Sequence, residues 1–176
     1  DWQIVTLERL FKTTCNESLT SMVWRIPKVE DRLKFLIDQV ERITGLQEFG
    51  VYLNKLFTID AIFLNEDRHM HNIAVMMNGK GEFDYCPIFD NGGALLTDTT
   101  MDYPLDQDEL LLMKEVHAKT ISSDFDEQLD ASEHFYGRNL RFSFTKKDVE
   151  RLLAKPELNM YDMRIRTRVA NIFTSR

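Results

Sequence analysis

Apolar positions along the chain recur mostly at helical spacing, with one internal stretch of β-like character. Ile4 to Lys12 carries Ile4, Val5, Leu7, Leu10 and Phe11, which predicts a first helix; Asn16 to Arg25 has no decisive period. Pro27 suits the first turn of a second helix, whose stripe is Leu33, Leu36, Ile37, Val40 and Ile43 and whose stop is Gly45. The next helix, from about Gln47 to Leu64, carries Phe49, Leu53, Leu56, Phe57, Ile59, Ala61, Ile62 and Phe63. That is too apolar for a surface helix, so it is expected to be the central buried one.

Ile73 to Asn78 and Phe83 to Asp90 read as two strands, joined through the turn chemistry of Asn78-Gly79-Lys80-Gly81. Leu105 to Ile121 reads as helix, with acidic residues early as the helix dipole favours. Asp124 to Asn139 is polar and undecided. Thr145-Lys146-Lys147-Asp148 resembles a capping box closed by Asp, opening a short helix that ends near Lys155-Pro156. A last helix is expected over Asn159 to Phe173, with Met160, Met163, Ile165, Val169, Ile172 and Phe173 as its apolar positions. The expected fold is mostly α with a small β-hairpin, in one domain spanning residues 1–176.

Composition narrows the function classes. Hydrophobic content of 43% and charged content of 29% are those of a globular protein, and twelve Phe and eight Met suit a well-filled, partly adaptable interior. A net charge of -7 argues against direct nucleic-acid binding and against an anionic membrane surface. No apolar run approaches the roughly 20 residues of a membrane helix, and no signal peptide is visible. Cys15 and Cys86, the two cysteines, make neither a disulfide framework nor a four-ligand zinc site, which fits a reducing cytoplasm. The chain starts at Asp1 inside what reads as helix, which points to a segment of a longer protein.

The chemistry concentrates after the central helix. Asn65-Glu66-Asp67-Arg68-His69-Met70-His71-Asn72 is followed, beyond the hairpin, by Pro87-Ile88-Phe89-Asp90-Asn91-Gly92-Gly93. Asp67 and Asn72 stand at the D-x-x-x-x-N spacing of kinase catalytic loops, and Asp90 precedes a glycine turn. A hairpin brings its ends side by side, so Asn72 and Asp90 are expected within reach of one cation. Both offer the hard oxygen that Mg²⁺ takes. Gly92 and Gly93 are expected to supply backbone conformations that side chains forbid. His69 is expected to hydrogen-bond inside the loop and His71 to face solvent. Their i, i+2 spacing also permits a zinc reading, for which His117 and His134 are the remaining His ligands. Arg68 pairs with a carboxylate or a phosphate, or makes a surface salt bridge of little energetic weight.

Quoted together, Asn65-Glu66-Asp67-Arg68-His69-Met70-His71-Asn72 and Pro87-Ile88-Phe89-Asp90-Asn91-Gly92 resemble the HipA-like kinase family. Phosphatidylinositol kinases carry a similar Asp-Arg-His-x-x-Asn and Asp-x-Gly; the Pro ahead of Asp90 favours the HipA side. The resemblance covers roughly Ile59 to Leu96. It implies a protein-kinase-like C-terminal lobe that phosphorylates serine or threonine of a protein substrate, sometimes of the kinase itself. Asp67 would be catalytic with His69 beside it, and Asn72 and Asp90 would bind Mg²⁺ and ATP.

No glycine-rich loop and no Val-Ala-x-Lys strand precede Asp67. The ATP-gripping N-terminal lobe is therefore expected from upstream sequence or from another chain, and this chain alone is expected to be inactive. Three alternatives stand beside that reading. One is a non-catalytic kinase-like interaction module, such as the antitoxin-linked half of a toxin–antitoxin pair. The others are a phosphatidylinositol-type lipid kinase lobe and a His-based metallohydrolase.

Overall fold

The computed structural model describes residues 1–174. The first departure from the sequence pattern is at the start: Trp2–Thr6 is a strand, β1, and not the opening of a helix. Trp, Ile, Val and Thr are strand formers, and pairing with a distant partner decides between two readings of a five-residue run. β1 runs antiparallel to β2 (Ala74–Asn78), with Trp2 opposite Asn78 and Thr6 opposite Ala74. β3 (Phe83–Tyr85) pairs with the other edge of β2, so the expected hairpin is the inner part of a three-stranded sheet of order β1-β2-β3. β3 stops at Tyr85, short of the expected Asp90; Pro87, which has no N–H to give a ladder, follows two residues later.

Helix α1 (Leu7–Cys15) starts directly from β1, capped by the Thr6 hydroxyl, and α2 (Leu19–Trp24) fills the stretch that had no decisive period. The predicted second helix is α3 (Val29–Thr44), which ends on Gly45 at φ 76°, a left-handed turn that glycine adopts without penalty. The apolar central helix is α4 (Phe49–Phe63).

Beyond the sheet, α5 (Glu109–Glu115) is much shorter than the Leu105 to Ile121 helix expected. Asp108 starts it by accepting bonds from the backbone N–H of Leu110 and Leu111. Past Val116 the chain leaves the helix and is tied elsewhere: Arg32 donates to the Ile121 carbonyl at 2.9 Å, and Ala118 N–H to the Ser123 carbonyl at 3.0 Å. The undecided polar stretch is α6 (Phe125–Tyr136), and it packs along α4 more extensively than any other element does. The capping box forms as expected at the head of α7 (Lys146–Leu153), with both reciprocal Thr145–Asp148 bonds present. The last expected helix is split into a 3₁₀ turn (Pro156–Met160) and α8 (Met163–Thr174), and Met160 and Met163 are exposed rather than apolar anchors.

Two apolar clusters hold the chain together. One gathers Phe11, Leu33, Leu36, Phe49, Leu53 and Phe57 with Met70, Ile73 and Val75; the other gathers Ala61, Leu64, Leu96, Tyr103, Leu112 and Ile172. The Asn65–Asn72 loop lies between them, anchored by Leu64 on one side and by Met70 and Ile73 on the other. The first helical N–H groups of α1, which lack partners within their own helix, also grip this loop. Leu7 N–H donates to the Ile73 carbonyl at 2.8 Å and Glu8 N–H to the Met70 carbonyl at 3.1 Å. Among the described residues, no helix is long and apolar enough to cross a membrane.

Candidate active site

α4 ends at Phe63 because Leu64 takes a left-handed conformation, φ 50°, which turns the chain out of the helix and into the polar loop. The loop is organised around Arg68, which is 1% exposed and therefore neither a surface ion pair nor free for a phosphate. Its partner is Asp60, one turn before the end of α4 and fully buried. Nε lies 3.0 Å from Asp60 Oδ2 and Nη2 3.1 Å from Oδ1, a two-pronged arrangement suited to a planar guanidinium. Burial pushes the Asp60 carboxyl above its ordinary range, against the pull of Arg68 and of an Asn65 amide donor at 2.9 Å.

The other donors of Arg68 determine how the site is assembled. Nη1 donates to the Asn72 carbonyl at 2.8 Å and to the Phe89 carbonyl at 2.7 Å, and Nη2 donates to Asn91 Oδ1 at 2.5 Å. One guanidinium thus holds the end of the loop and the residues on both sides of Asp90. Arg68, rather than the strands, brings the Asn72 carbonyl and the turn carrying Asp90 to one group, since β3 has already ended.

Within the loop, Asn65 Oδ1 accepts from Asp67 N–H at 3.3 Å. Asn72 Nδ2 donates to the Asp67 carbonyl at 2.9 Å and to Asp67 Oδ2 at 3.1 Å. Asn72 Oδ1 has no partner among the described residues. The Asp67 side chain is 44% exposed, and His69 Nε2 lies 3.5 Å from its Oδ1. His69 also bonds within the loop as expected: its N–H donates to the Asp67 carbonyl at 3.0 Å, and its Nδ1 accepts from His71 N–H at 3.3 Å. His71 is exposed. No three His, Cys, Asp or Glu side chains among the described residues are grouped to hold a metal ion, so the His69–His71 pair lacks the further ligands of a zinc site.

The glycines after Asp90 act differently from expectation. Neither Gly92 nor Gly93 has a positive φ; the left-handed residues are Asp90 at 54°, Leu95 at 58° and Leu96 at 56°. Such backbone at non-glycine residues costs about 1–3 kcal/mol each and persists only where the surroundings enforce it. Here Leu95 N–H is held by the Phe63 carbonyl at 2.8 Å. Gly93 is needed for space: a Cβ there would lie 3.2 Å from the Asp67 Cβ.

Asp67 opens on a cleft of about 470 Å³ between the Gly92-Gly93 turn and the segment carrying Asp98 and Asp102, with Glu66 and Lys119 also on its walls. Asp98 accepts from Thr100 and Met101, which holds its carboxyl below the usual range. The buried Arg168 of α8 staples both ends of this wall, donating to the carbonyls of Leu96, Tyr103 and Pro104 at 3.2, 2.5 and 2.6 Å.

The sequence pattern brought Asp67, His69, Asn72 and Asp90 forward; it did not bring forward Asp60, Asn91, Lys119 or Arg168. Asp60 left one readable signal, the single carboxylate inside a largely apolar helix, which requires a partner if buried. The others depend on contacts between distant segments. Comparison with family models, with curated proteins and with solved structures gave no match to the chain.

Proposed function

We propose that the chain is the catalytic lobe of a HipA-like protein kinase, transferring phosphate from Mg-ATP to a serine or threonine hydroxyl of a protein. The observation that carries this reading is the grip of Arg68 on the Asn72 carbonyl and on both neighbours of Asp90. It ties Asn72 and the two neighbours of Asp90 to one buried guanidinium, next in sequence to Asp67, whose side chain stays open to a cleft.

Asp67 is the acceptor of the hydroxyl proton. As the hydroxyl oxygen bonds to the γ-phosphorus, the bond to the β,γ-bridging oxygen breaks, ADP leaves, and the proton passes to the Asp67 carboxylate. Asn72 Nδ2 and the nearby His69 hold that carboxylate in orientation. Asn72, through its free amide oxygen, and Asp90, through its exposed carboxylate, are the hard oxygen donors that would hold Mg²⁺. The ion, when bound, neutralises charge on the phosphates. The ATP-gripping lobe is proposed to come from upstream sequence or from another chain.

Calorimetry of Mg-ATP binding to the longest native form of the protein tests this. The expected result is binding that needs Mg²⁺ and is lost in Asn72→Ala and Asp90→Ala. Magnesium-independent or absent binding would favour a kinase-shaped interaction module, the reading suggested by the lack of any glycine-rich phosphate strand in the chain.

A further inference from the structure

We infer that Lys119 is the cation that meets the γ-phosphate in the Asp67 cleft, an inference that rests on the kinase reading. The cleft is acidic: Glu66, Asp67, Asp98 and Asp102 line it, and among its described lining residues Lys119 is the one Lys or Arg. A phosphate entering there meets four carboxylates and one cation, with Gly92, Gly93 and Thr97 neutral between them. Phosphoryl transfer needs charge neutralised at the transferring group, and a cleft lined by this many carboxylates gains from a cation on its wall.

The loop's own cation cannot supply it. Arg68 is buried and all of its donor nitrogens are engaged by Asp60, Asn72, Phe89 and Asn91. Lys119, by contrast, is exposed and makes no ion pair among the described residues.

Its backbone is firmly held. The next residue, Thr120, is fully buried and donates its hydroxyl to the Arg68 carbonyl at 2.5 Å, immediately after Asp67. Ala118 and Ile121 are buried as well, and the Ile121 carbonyl accepts from Arg32. A single exposed lysine between buried anchors, one of them bonded to the catalytic loop, is a presented charge with a flexible stem that reaches into the cleft.

The test uses Lys119→Met and Lys119→Arg in the longest native form, with Mg-ATP and Mg-ADP affinities from calorimetry and turnover at saturating ATP. For Lys119→Met the expected result is ATP affinity about tenfold weaker with ADP affinity unchanged, and kcat down about 100-fold. Lys119→Arg, which keeps the charge, recovers part of both losses. The inference is overturned if wild type transfers phosphate while Lys119→Met keeps its ATP-to-ADP affinity ratio within twofold. It is overturned too if only the acceptor KM rises, which would assign Lys119 to the protein substrate. Failure of wild type to bind Mg-ATP or to transfer phosphate sinks the kinase reading itself, and the inference with it.

Discussion

Arg68 and Asp60 form a two-pronged ion pair in which both partners are buried, 3.0 Å apart at their closest contact, Nε to Oδ2. A pair of this kind contributes little net stability, because desolvation offsets the attraction, but removing one member strands the other charge. Asp60→Ala is therefore expected to cost about 3–5 kcal/mol in chemical denaturation. The double variant Asp60→Leu with Arg68→Met is expected to lose less than the two singles added together. It should nevertheless lose Mg-ATP binding, because the grip on Asn72, Phe89 and Asn91 goes with the guanidinium. Additive losses would show that the pair is not coupled.

Gly50 lies inside α4 with the Tyr136 ring directly over it; a Cβ built there would come 2.3 Å from Cε1. Helix propensity alone would make Gly50→Ala stabilising by up to about 1 kcal/mol. Overpacking of a close contact costs about 1–3 kcal/mol, so the net change is expected to be destabilising. A thermal melt of Gly50→Ala, alone and with Tyr136→Ala, checks the origin: the alanine penalty should shrink or reverse once the ring is gone.

Glu8 links stability to pH. Burial pushes its carboxyl up, but bonds from Ser18 and Thr20, backbone and hydroxyl, together with the nearby His71, bring it below the ordinary value of 4.5. A depressed folded-state value contributes stability above the unfolded value and loses it as pH falls through the folded one. The urea midpoint is therefore expected to drop below about pH 4.5, and Glu8→Gln to flatten the part of that drop which Glu8 contributes. An unchanged slope in Glu8→Gln would assign the acid sensitivity to other carboxylates.

Gly93→Ala separates activity from folding. The added Cβ would sit 3.2 Å from the Asp67 Cβ, tight enough to displace that residue by a few tenths of an ångström. Positional errors of this order at a reacting group cost rate far more than stability. The expected outcome is phosphotransfer reduced about tenfold or more, with a denaturation midpoint close to wild type. Full activity would mean that the reaction does not depend on the placement of Asp67 that Gly93 permits.

How much was legible in the sequence depends on whether local chemistry or distant contact decides. The Gly45 stop of α3 and the Thr145–Asp148 capping box are local devices, and both stand where their residues put them. The apolar run of α4 likewise announced a buried helix. Ile4 to Thr6 fits either period, and only the pairing of β1 with β2, far along the chain, settles it as strand. α5 falls short because residues after Val116 bond to other elements, Thr120 donating to the Arg68 carbonyl and the Ile121 carbonyl accepting from Arg32. At the site, the spacing of Asp67, Asn72 and Asp90 is readable, whereas Arg68 reads equally as the partner of a carboxylate or phosphate and as a surface salt bridge; the buried Asp60 opposite it decides.

The most direct test of the central claim is transfer of labelled γ-phosphate from Mg-ATP to a protein serine or threonine by the longest native form, wild type against Asp67→Asn. Asp67 is half-exposed at the mouth of the cleft, so the substitution is expected to leave the denaturation midpoint nearly unchanged. The account predicts transfer by wild type, with a loss of about 10²–10⁴-fold in the variant, as befits removal of a proton acceptor. Equal transfer by both proteins, at equal stability, would contradict it.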